Sequence, residues 1–234
     1  MKNVFELLNA NSYPGRGIII GRCAYNEFSF IIYFIMGRSE NSRNRIFAAT
    51  EDGIRTQAWD PAKTTDPSLI IYHPVRRLEG HVIVTNGDQT DTIRDGLAAG
   101  ISFEDSLRGR KFEPDAPNYT PRISGLLLPD GSYRLSILKT AQGDPSCCQR
   151  FFFEYDRPIA GQGHFISTYA GDGDPLPSFA GEPVTVAMKG SLETFARRVW
   201  DSLNGDNKVS LFGLGIPLDE GKPESIIINK HEGA

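Results

Sequence analysis

The stretch Phe28-Ser29-Phe30-Ile31-Ile32-Tyr33-Phe34-Ile35-Met36 is the longest apolar run of the chain. It is rich in β-branched and aromatic side chains, which are typical of a strand buried in a protein core. A helix needs roughly 20 apolar residues to cross a bilayer, so this run is too short to be a membrane span. It therefore predicts a core strand, and the polar residues that follow it are held by a rigid element.

The composition argues against several classes of protein. Asp and Glu number 29 against 25 Lys and Arg, and the resulting net charge of −4 gives no general attraction for nucleic acid or an anionic membrane. Residues 1–13 lack the basic-then-apolar pattern of a secretory signal. Two of the three cysteines, Cys147 and Cys148, are adjacent, which disfavours a disulfide framework. We expect a cytoplasmic protein that forms a single domain over residues 1–234.

Strand-like segments separated by turn signals recur along the whole chain. Asp130-Gly131 between two of them is a strong signal for a hairpin and thus for antiparallel pairing. The predicted strands are Gly17–Ile20, Phe28–Met36, Leu69–Tyr72, Val82–Thr85, Ile123–Leu128, Tyr133–Lys139, Phe151–Tyr155, Phe165–Tyr169, Val184–Met188, Val209–Leu214 and Ser225–Ile228.

Helical periodicity is clearest from Leu192 to Leu203, between a capping Ser191 and Gly205. Weaker patterns predict short helices over Thr90–Leu97 and Ser102–Leu107. Strands dominate and do not alternate regularly with helices, so the pattern favours an α+β fold of layered antiparallel sheets covered by helices.

The first polar segment that could carry chemistry is Gly37–Arg45, directly after the apolar strand. It brings Arg38, Arg43 and Arg45 to one place, together with Ser and Asn side chains. The planar guanidinium group binds phosphate through paired hydrogen bonds, so an anion site is one interpretation. A solvated loop after a strand is the other.

The second segment, Thr85–Asp91, follows a predicted strand and leads into a predicted helix. Free amides at a helix start can bind a ligand oxygen. Asp88 and Asp91 would repel phosphate, which favours neutral amide or hydroxyl groups of a ligand. An Asx turn with a helix cap explains the same residues.

The third segment, Glu113–Arg122, contains three prolines that stiffen it. A stiff loop carrying Glu113, Tyr119 and Arg122 can preorganise a site, although a rigid surface crossing with an Arg–carboxylate pair is equally compatible. The four histidines lack metal-ligand spacing, so no metal is expected, and only His164 is a weak candidate for the site. No full dinucleotide-binding fingerprint, P-loop or nucleophile elbow is present.

Four motifs together resemble the archaeal-type IMP cyclohydrolase family, in its order and at about its spacing. They are Tyr13-Pro14-Gly15-Arg16-Gly17, Gly37–Arg45, Thr85–Asp91 and Tyr119-Thr120-Pro121-Arg122-Ile123. Segments such as Phe179–Pro183 and Asn207–Phe212 are similar to a bacterial branch of that family. The resemblance implies a four-layer α-β-β-α sandwich similar to N-terminal nucleophile hydrolases, and it also implies a homo-oligomer.

The activity implied by the resemblance is the last step of purine synthesis. The carboxamide nitrogen of 5-formamidoimidazole-4-carboxamide ribonucleotide attacks the formyl carbon of the same molecule, and water leaves to close the ring of IMP. An intramolecular reaction gains much from positioning alone, so no cofactor is expected and the partner is a small purine nucleotide.

The resemblance also suggests roles for particular residues. Arg38 and Arg43 match arginines of the family and are assigned to phosphate or substrate oxygens, with Arg43 in the catalytic set. Tyr72 is a candidate oxyanion donor, and Glu113 could orient the carboxamide or relay its proton. The remaining predicted substrate contacts are Arg45, Asn86, Asp88, Thr90, Asp91, Tyr119 and Arg122.

One position departs from the archaeal pattern. Gln89 stands where that pattern has a histidine, so acid–base chemistry at this position cannot be carried over. Two alternatives remain open: a purine-nucleotide-binding protein without catalysis, and an amidohydrolase of the related fold. The latter would need a nucleophile freed at a new N-terminus, for example by cleavage before Cys23.

Overall fold

Two antiparallel sheets form the centre of the fold in the computed structural model, which describes residues 1–63 and 71–231. The first sheet has the order β11-β10-β1-β2-β12-β13. Its strands are β1 (Arg16–Arg22), β2 (Phe28–Met36), β10 (Gln162–Ser167), β11 (Val184–Ala187), β12 (Lys208–Pro217) and β13 (Glu224–Asn229).

The second sheet has seven strands that follow one another in chain order, from β3 to β9. They are β3 (Arg45–Thr50), β4 (Gly53–Ala58), β5 (Val75–Leu78), β6 (His81–Thr85), β7 (Arg122–Leu127), β8 (Tyr133–Ala141) and β9 (Asp144–Tyr155). The helices are α1 (Val4–Asn9), α2 (Glu40–Arg43), α3 (Gln89–Ala98), α4 (Phe103–Leu107) and α5 (Leu192–Ser202), with a 3-10 turn at Pro61–Lys63.

The helices cover the two outer faces of the sheet pair. Helices α1 and α5 pack on the first sheet, where Leu8 and Phe195 join a cluster that includes Ile19. On the second sheet, α3 and α4 contribute Ile93 and Phe103 to a separate cluster. Because neighbouring side chains of a strand point to opposite faces, Ile18 and Ile20 face the other way and enter the core between the sheets. Strands β1 and β2 are therefore buried on both faces, which explains their unbroken apolar sequences.

The antiparallel, sheet-rich fold predicted from sequence is confirmed. The helix of residues 192–202 begins after its capping Ser191, whose hydroxyl accepts the amide of Thr194. The hairpin at Asp130-Gly131 joins β7 to β8 in antiparallel pairing. Among the described residues, no helix is both long and apolar enough to cross a membrane.

The sequence did not reveal α1 or the three strands β3, β4 and β5. These strands carry Arg, Gln, Thr and Gly among their apolar residues, so no run of hydrophobic side chains marks them. The strand predicted at Leu69–Tyr72 begins outside the described residues, and its last two residues, Ile71 and Tyr72, do not lie in a strand. Tyr72 is hydrogen-bonded instead to Thr56 of β4. The Tyr72 amide donates to Thr56 Oγ1, and the Tyr72 carbonyl accepts the Thr56 amide, at 2.9 Å each.

The strand directions place the polar segments at one end of the sandwich. Strands β1, β3 and β7 begin there, and β2 and β6 end there. This end, named the Arg16 end after the first residue of β1, collects Gly37–Arg45, Thr85–Asp91 and Glu113–Arg122. The hairpin turn at Asp130 lies at the opposite end, named the Asp130 end.

Candidate active site

A cluster of charged and hydroxyl-bearing side chains is buried at the Arg16 end. Arg45 is 0% exposed, Glu113 3% and Arg122 7%. Ionisable groups are seldom buried unless they are paired or functional, because leaving water is costly for a charge. Such a concentration of buried charge in one place indicates a functional site. The cluster consists of Arg16, Tyr33, Arg45, Tyr72, Glu113 and Arg122.

Glu113 occupies the loop between α4 and β7. Its amide donates to Thr120 O at 2.9 Å, and its Oε1 lies 3.5 Å from Asn86 Nδ2. Burial raises the pKa of Glu113 to about 7, although the guanidinium groups of Arg16 and Arg122 act in the opposite direction. The carboxyl group can therefore either accept or donate a proton near neutral pH.

Arg16 and Arg45 are the first residues of β1 and β3. Arg45 Nε donates to Ser42 O at 2.8 Å, but its Nη1 is buried and has no hydrogen-bond partner among the described residues, and neither has Arg16 Nε. Burial and the charge of Arg16 lower the pKa of Arg45. Two neighbouring cations, Arg45 fully buried and Arg16 partly buried, have N–H groups without a partner among the described residues, and they are suited to bind an anionic ligand group.

Two tyrosine hydroxyls complete the centre of the cluster. Tyr33 OH and Tyr72 OH are 2.8 Å apart. Burial, together with the Tyr72 hydroxyl, raises the pKa of Tyr33 well above its usual value, so Tyr33 stays protonated. Tyr33 reaches the site from β2 and Tyr72 from the segment before β5, and the paired hydroxyls can donate to a substrate oxygen.

The start of α3 is bound closely to the start of β7. Asn86 Oδ1 accepts the amide of Ile123 at 2.8 Å, and Asn86 Nδ2 donates to Pro121 O at 2.9 Å. Arg122 Nη1 donates to Gln89 Oε1 at 2.6 Å. A Cβ on Gly87 would come within 2.5 Å of Arg122 Nη1, so only glycine allows this approach. Gln89 thus orients Arg122.

The acidic residues of the second segment are neutralised by arginines. Asp88 pairs with Arg122 at 2.7 Å and also with Arg110, while Asp91 pairs with Arg76 at 2.9 Å. Burial works to raise the pKa of Asp88, but Arg110 and Arg122 lower it overall. Thr90 is fully buried, and its hydroxyl lies 2.6 Å from that of Thr85.

The other predicted residues lie outside the central cluster. Arg38 pairs with Asp172 at 2.7 Å and stands over the ring of Tyr13 at 5.2 Å. The Arg43 guanidinium donates to Gly37 O and to Asn207 Oδ1, both at 2.9 Å. Tyr119 lines a pocket of about 370 Å³ beside the loop, together with Lys139. The structure thus joins Tyr72, Glu113, Arg45, Asn86 and Arg122, whereas the described contacts of Arg38, Arg43 and Tyr119 are made with other residues.

Sequence reasoning did not assign a role to Arg16 or Tyr33. Arg16 belongs to the motif Tyr13–Gly17, which carried part of the family resemblance, so a signal was present. Tyr33 had no such signal because it lies within the apolar run of β2 and reads as core. Within residues 1–63 and 71–231, no group of three or more His, Cys, Asp or Glu side chains is placed to hold a metal ion.

The sequence of the chain matches one protein family and is similar to several named proteins. The model of a family described as "IMP cyclohydrolase-like protein" matches residues 13–220. A protein of Halobacterium salinarum named IMP cyclohydrolase is 30% identical over 131 residues, which cover 54% of this chain and 63% of that protein. One of Methanopyrus kandleri with the same name is 27% identical over 169 residues, 71% of this chain and 79% of that protein. The chain therefore spans less than two thirds of the Halobacterium relative, and on the extent of the family match it belongs to the IMP cyclohydrolase-like family.

Proposed function

We propose that the chain is an IMP cyclohydrolase, which converts 5-formamidoimidazole-4-carboxamide ribonucleotide to IMP and water without a cofactor. The name shared by the relatives supports this activity. The main observation behind the proposal is the buried Glu113 carboxyl, whose pKa is raised to about 7. It lies beside guanidinium groups with N–H donors that no described residue accepts.

The chemistry requires one new bond and the loss of one water molecule. The carboxamide nitrogen bonds to the formyl carbon, whose oxygen becomes a hydroxyl group. One hydrogen from the carboxamide nitrogen and one from the formamide nitrogen leave with that oxygen as water. Glu113, starting as the carboxylate, takes the carboxamide proton and gives it to the formyl oxygen, which becomes the hydroxyl group. It then takes the formamide proton and gives it to the departing hydroxyl group, which leaves as water.

The neighbouring donors stabilise the charge that develops on the formyl oxygen. Tyr72, paired with Tyr33, donates to this oxygen. The free N–H groups of Arg16 and Arg45 bind an anionic part of the substrate. Because the reaction is intramolecular, holding the formyl carbon against the carboxamide nitrogen supplies much of the acceleration.

The remaining assignments follow the family motifs and stay proposals. Arg43, in the catalytic set, and Arg38 bind the 5′-phosphate or other oxygens of the substrate. Other parts of the substrate, namely its base, ribose or phosphate, are contacted by Asn86, Asp88, Thr90, Asp91, Tyr119 and Arg122. The charges of Asp88 and Asp91 are already neutralised by arginines, which removes the repulsion that would otherwise keep a nucleotide away.

An amidohydrolase receives no support from the position of Cys23. This side chain is buried, and its Sγ accepts the amides of Glu27 and Phe28 at 3.3 Å each. Cleavage before Cys23 would remove β1, a central strand that pairs with both β2 and β10. We expect the purified chain to keep its intact mass, and loss of residues 1–22 would revive the hydrolase.

Four further properties are part of the same proposal: a likeness to N-terminal nucleophile hydrolases, a single domain over residues 1–234, a cytoplasmic location and a homo-oligomer. The order of helices, sheet, sheet and helices supports the first. The core shared between the sheets draws on strands from both halves of the chain, which supports the second.

The test is turnover of the formylated nucleotide by the purified protein, followed by chromatography of IMP. We expect IMP to form without added metal or cofactor, at a rate far above the spontaneous background. A nucleotide-binding protein without catalysis would bind IMP in calorimetry but leave the rate at background, and that result would refute the proposal.

A further inference from the structure

In the loop that carries Glu113, the carboxylate of Asp115 bonds to Thr120 near the other end of the loop. Asp115 Oδ1 accepts the amide of Thr120 at 2.6 Å, and Asp115 Oδ2 accepts the hydroxyl of the same residue. The backbone closes the same ring, because the amide of Glu113 donates to Thr120 O. Thr120 is therefore held to the loop start by three hydrogen bonds, and two of them end on one carboxylate.

The Thr120 hydroxyl also contacts a residue that follows a strand of the first sheet. It lies 2.5 Å from the hydroxyl of Tyr169, which follows β10 and stacks on Tyr13 at 5.9 Å. A carboxylate can only accept, so Thr120 donates to Asp115, and its oxygen is left to accept from Tyr169. Burial raises the pKa of Tyr169 to about 12, which keeps this donor protonated. A directed chain of hydrogen bonds thus runs from Tyr169 through Thr120 to Asp115.

We propose that Asp115 is a positioning residue, which fixes the Glu113 loop against Tyr169 through Thr120 and keeps the Glu113 carboxyl buried between the two sheets. This role rests on the proposed function, since it serves the group assigned to proton transfer. Thr120 is only 1% exposed and Tyr169 2%, so the chain is shielded from water that would compete for its hydrogen bonds.

Asp115 also acts on Glu113 through its charge. The groups that face Glu113 come from four elements: Arg16 of β1, Arg45 of β3, Arg122 of β7 and Asp115 of its own loop. The three arginines favour the carboxylate form, whereas burial and Asp115 favour the protonated form. Removing the Asp115 charge, or loosening the loop so that water reaches Glu113, changes the pKa of Glu113 in the same direction, downward.

The decisive variant is Asp115→Asn, with Asp130→Asn as a matched control. Asp130 likewise accepts an amide and a hydroxyl, both from Ser132, but it lies in the hairpin at the Asp130 end. For Asp115→Asn we expect kcat to fall about tenfold and the acidic limb of the pH–rate profile to move to lower pH. Asp130→Asn should retain both the rate and the profile of the unmodified protein. An unchanged profile in Asp115→Asn would overturn the proposal.

Two further changes test the chain without touching a charge. Thr120→Val and Tyr169→Phe each remove one hydroxyl and should lower kcat by severalfold, while Thr120→Ser should restore it, because the serine keeps the hydroxyl. These variants also decide the matter if Asp115→Asn does not fold. If both Thr120→Val and Tyr169→Phe kept the rate of the unmodified protein, the proposed role of this chain of hydrogen bonds would be contradicted.

Carbon-13 NMR of labelled glutamate separates this proposal from the proposed function. The Glu113 carboxyl, identified by its disappearance in Glu113→Gln, should titrate near 7 in the unmodified protein and at lower pH in Asp115→Asn. If the protein forms no IMP, the proposed function fails, and this titration still confirms or refutes the role of Asp115.

Discussion

Two clusters of fully or partly buried titratable groups lie at opposite ends of the same sheets. At the Arg16 end, Glu113 is surrounded by three arginines, and Arg16 and Arg45 have N–H groups that find no partner within the described part of the chain. At the Asp130 end, His164 Nδ1 bonds to Tyr133 OH at 2.6 Å, and the His164 ring stacks on that of Tyr155 at 3.8 Å. Burial lowers the pKa of His164 to about 4, so that cluster is neutral at pH 7.

This difference indicates that the cluster at the Arg16 end is a binding site and that the cluster at the Asp130 end is part of the packed core. The neutral histidine is hydrogen-bonded to Tyr133 and stacked on Tyr155, so these contacts hold it in place without a ligand. The Arg16 end keeps charges and unused donors in a place where water is scarce, which costs stability unless a ligand completes it. His164, the weak candidate from the sequence, thus has a partner that explains its burial.

The largest expected effect is at Glu113. Glu113→Gln keeps the shape of the side chain but cannot accept a proton, so kcat should fall about 100- to 1000-fold. In the unmodified protein, kcat/KM should decline as the pH falls below about 7, since Glu113 must start as the carboxylate. Steady-state rates from pH 5 to 9 measure both the loss of kcat in Glu113→Gln and the pH dependence of kcat/KM in the unmodified protein. His164→Gln is the control at the other end, and a larger loss there than in Glu113→Gln would reverse the assignment.

Arg16 should have the next largest effect. Arg16→Met removes a free donor and a charge that favours ionised Glu113, so kcat/KM should fall about 30-fold and the acidic limb should move to higher pH. Arg22→Met is the matched control, because Arg22 ends the same strand and contacts Gly131 O at 3.4 Å. A shift of the limb to lower pH would show that Arg16 does not act on Glu113.

Equivalent tyrosine changes at the two ends should have different consequences. Tyr72→Phe should lower kcat about tenfold, because an oxyanion donor is lost. Tyr133→Phe should leave kcat unchanged and reduce the free energy of unfolding by about 1 kcal/mol, since it leaves His164 without its hydrogen bond. Kinetics and urea unfolding of both variants test this. A loss of kcat in Tyr133→Phe but not in Tyr72→Phe would contradict the assignment of the catalytic site to the Arg16 end.

The smallest effect is a pH dependence of stability from His164. Its pKa is about 4 in the folded protein and 6.5 as the ordinary value, so unfolded chains bind the extra proton first. His164 therefore contributes stability above pH 6.5, and this contribution is lost as the pH falls toward 4. Urea midpoints across this range should decline less steeply in His164→Gln, whereas parallel curves would exclude the histidine as the cause.

Local sequence determined those elements whose signal lies within neighbouring residues. The run Phe28–Met36 marked a strand buried on both faces, Ser191 marked a helix start, and Asp130-Gly131 marked a hairpin. The ordered motifs also indicated the family, which the match over residues 13–220 confirms. These features need no knowledge of distant contacts, because apolar periodicity, capping and turn chemistry are local.

Only the tertiary structure decided which polar residues meet. Strands β3, β4 and β5 became visible through pairing with their neighbours, since their own sequences are mixed. Tyr33 reads as core in the sequence, yet its hydroxyl meets Tyr72, 39 residues away. Arg16, Arg45 and Glu113 come from three distant segments, and strand direction brings them to one end of the sandwich. Burial then gives the Glu113 carboxyl a pKa that no local pattern could have predicted.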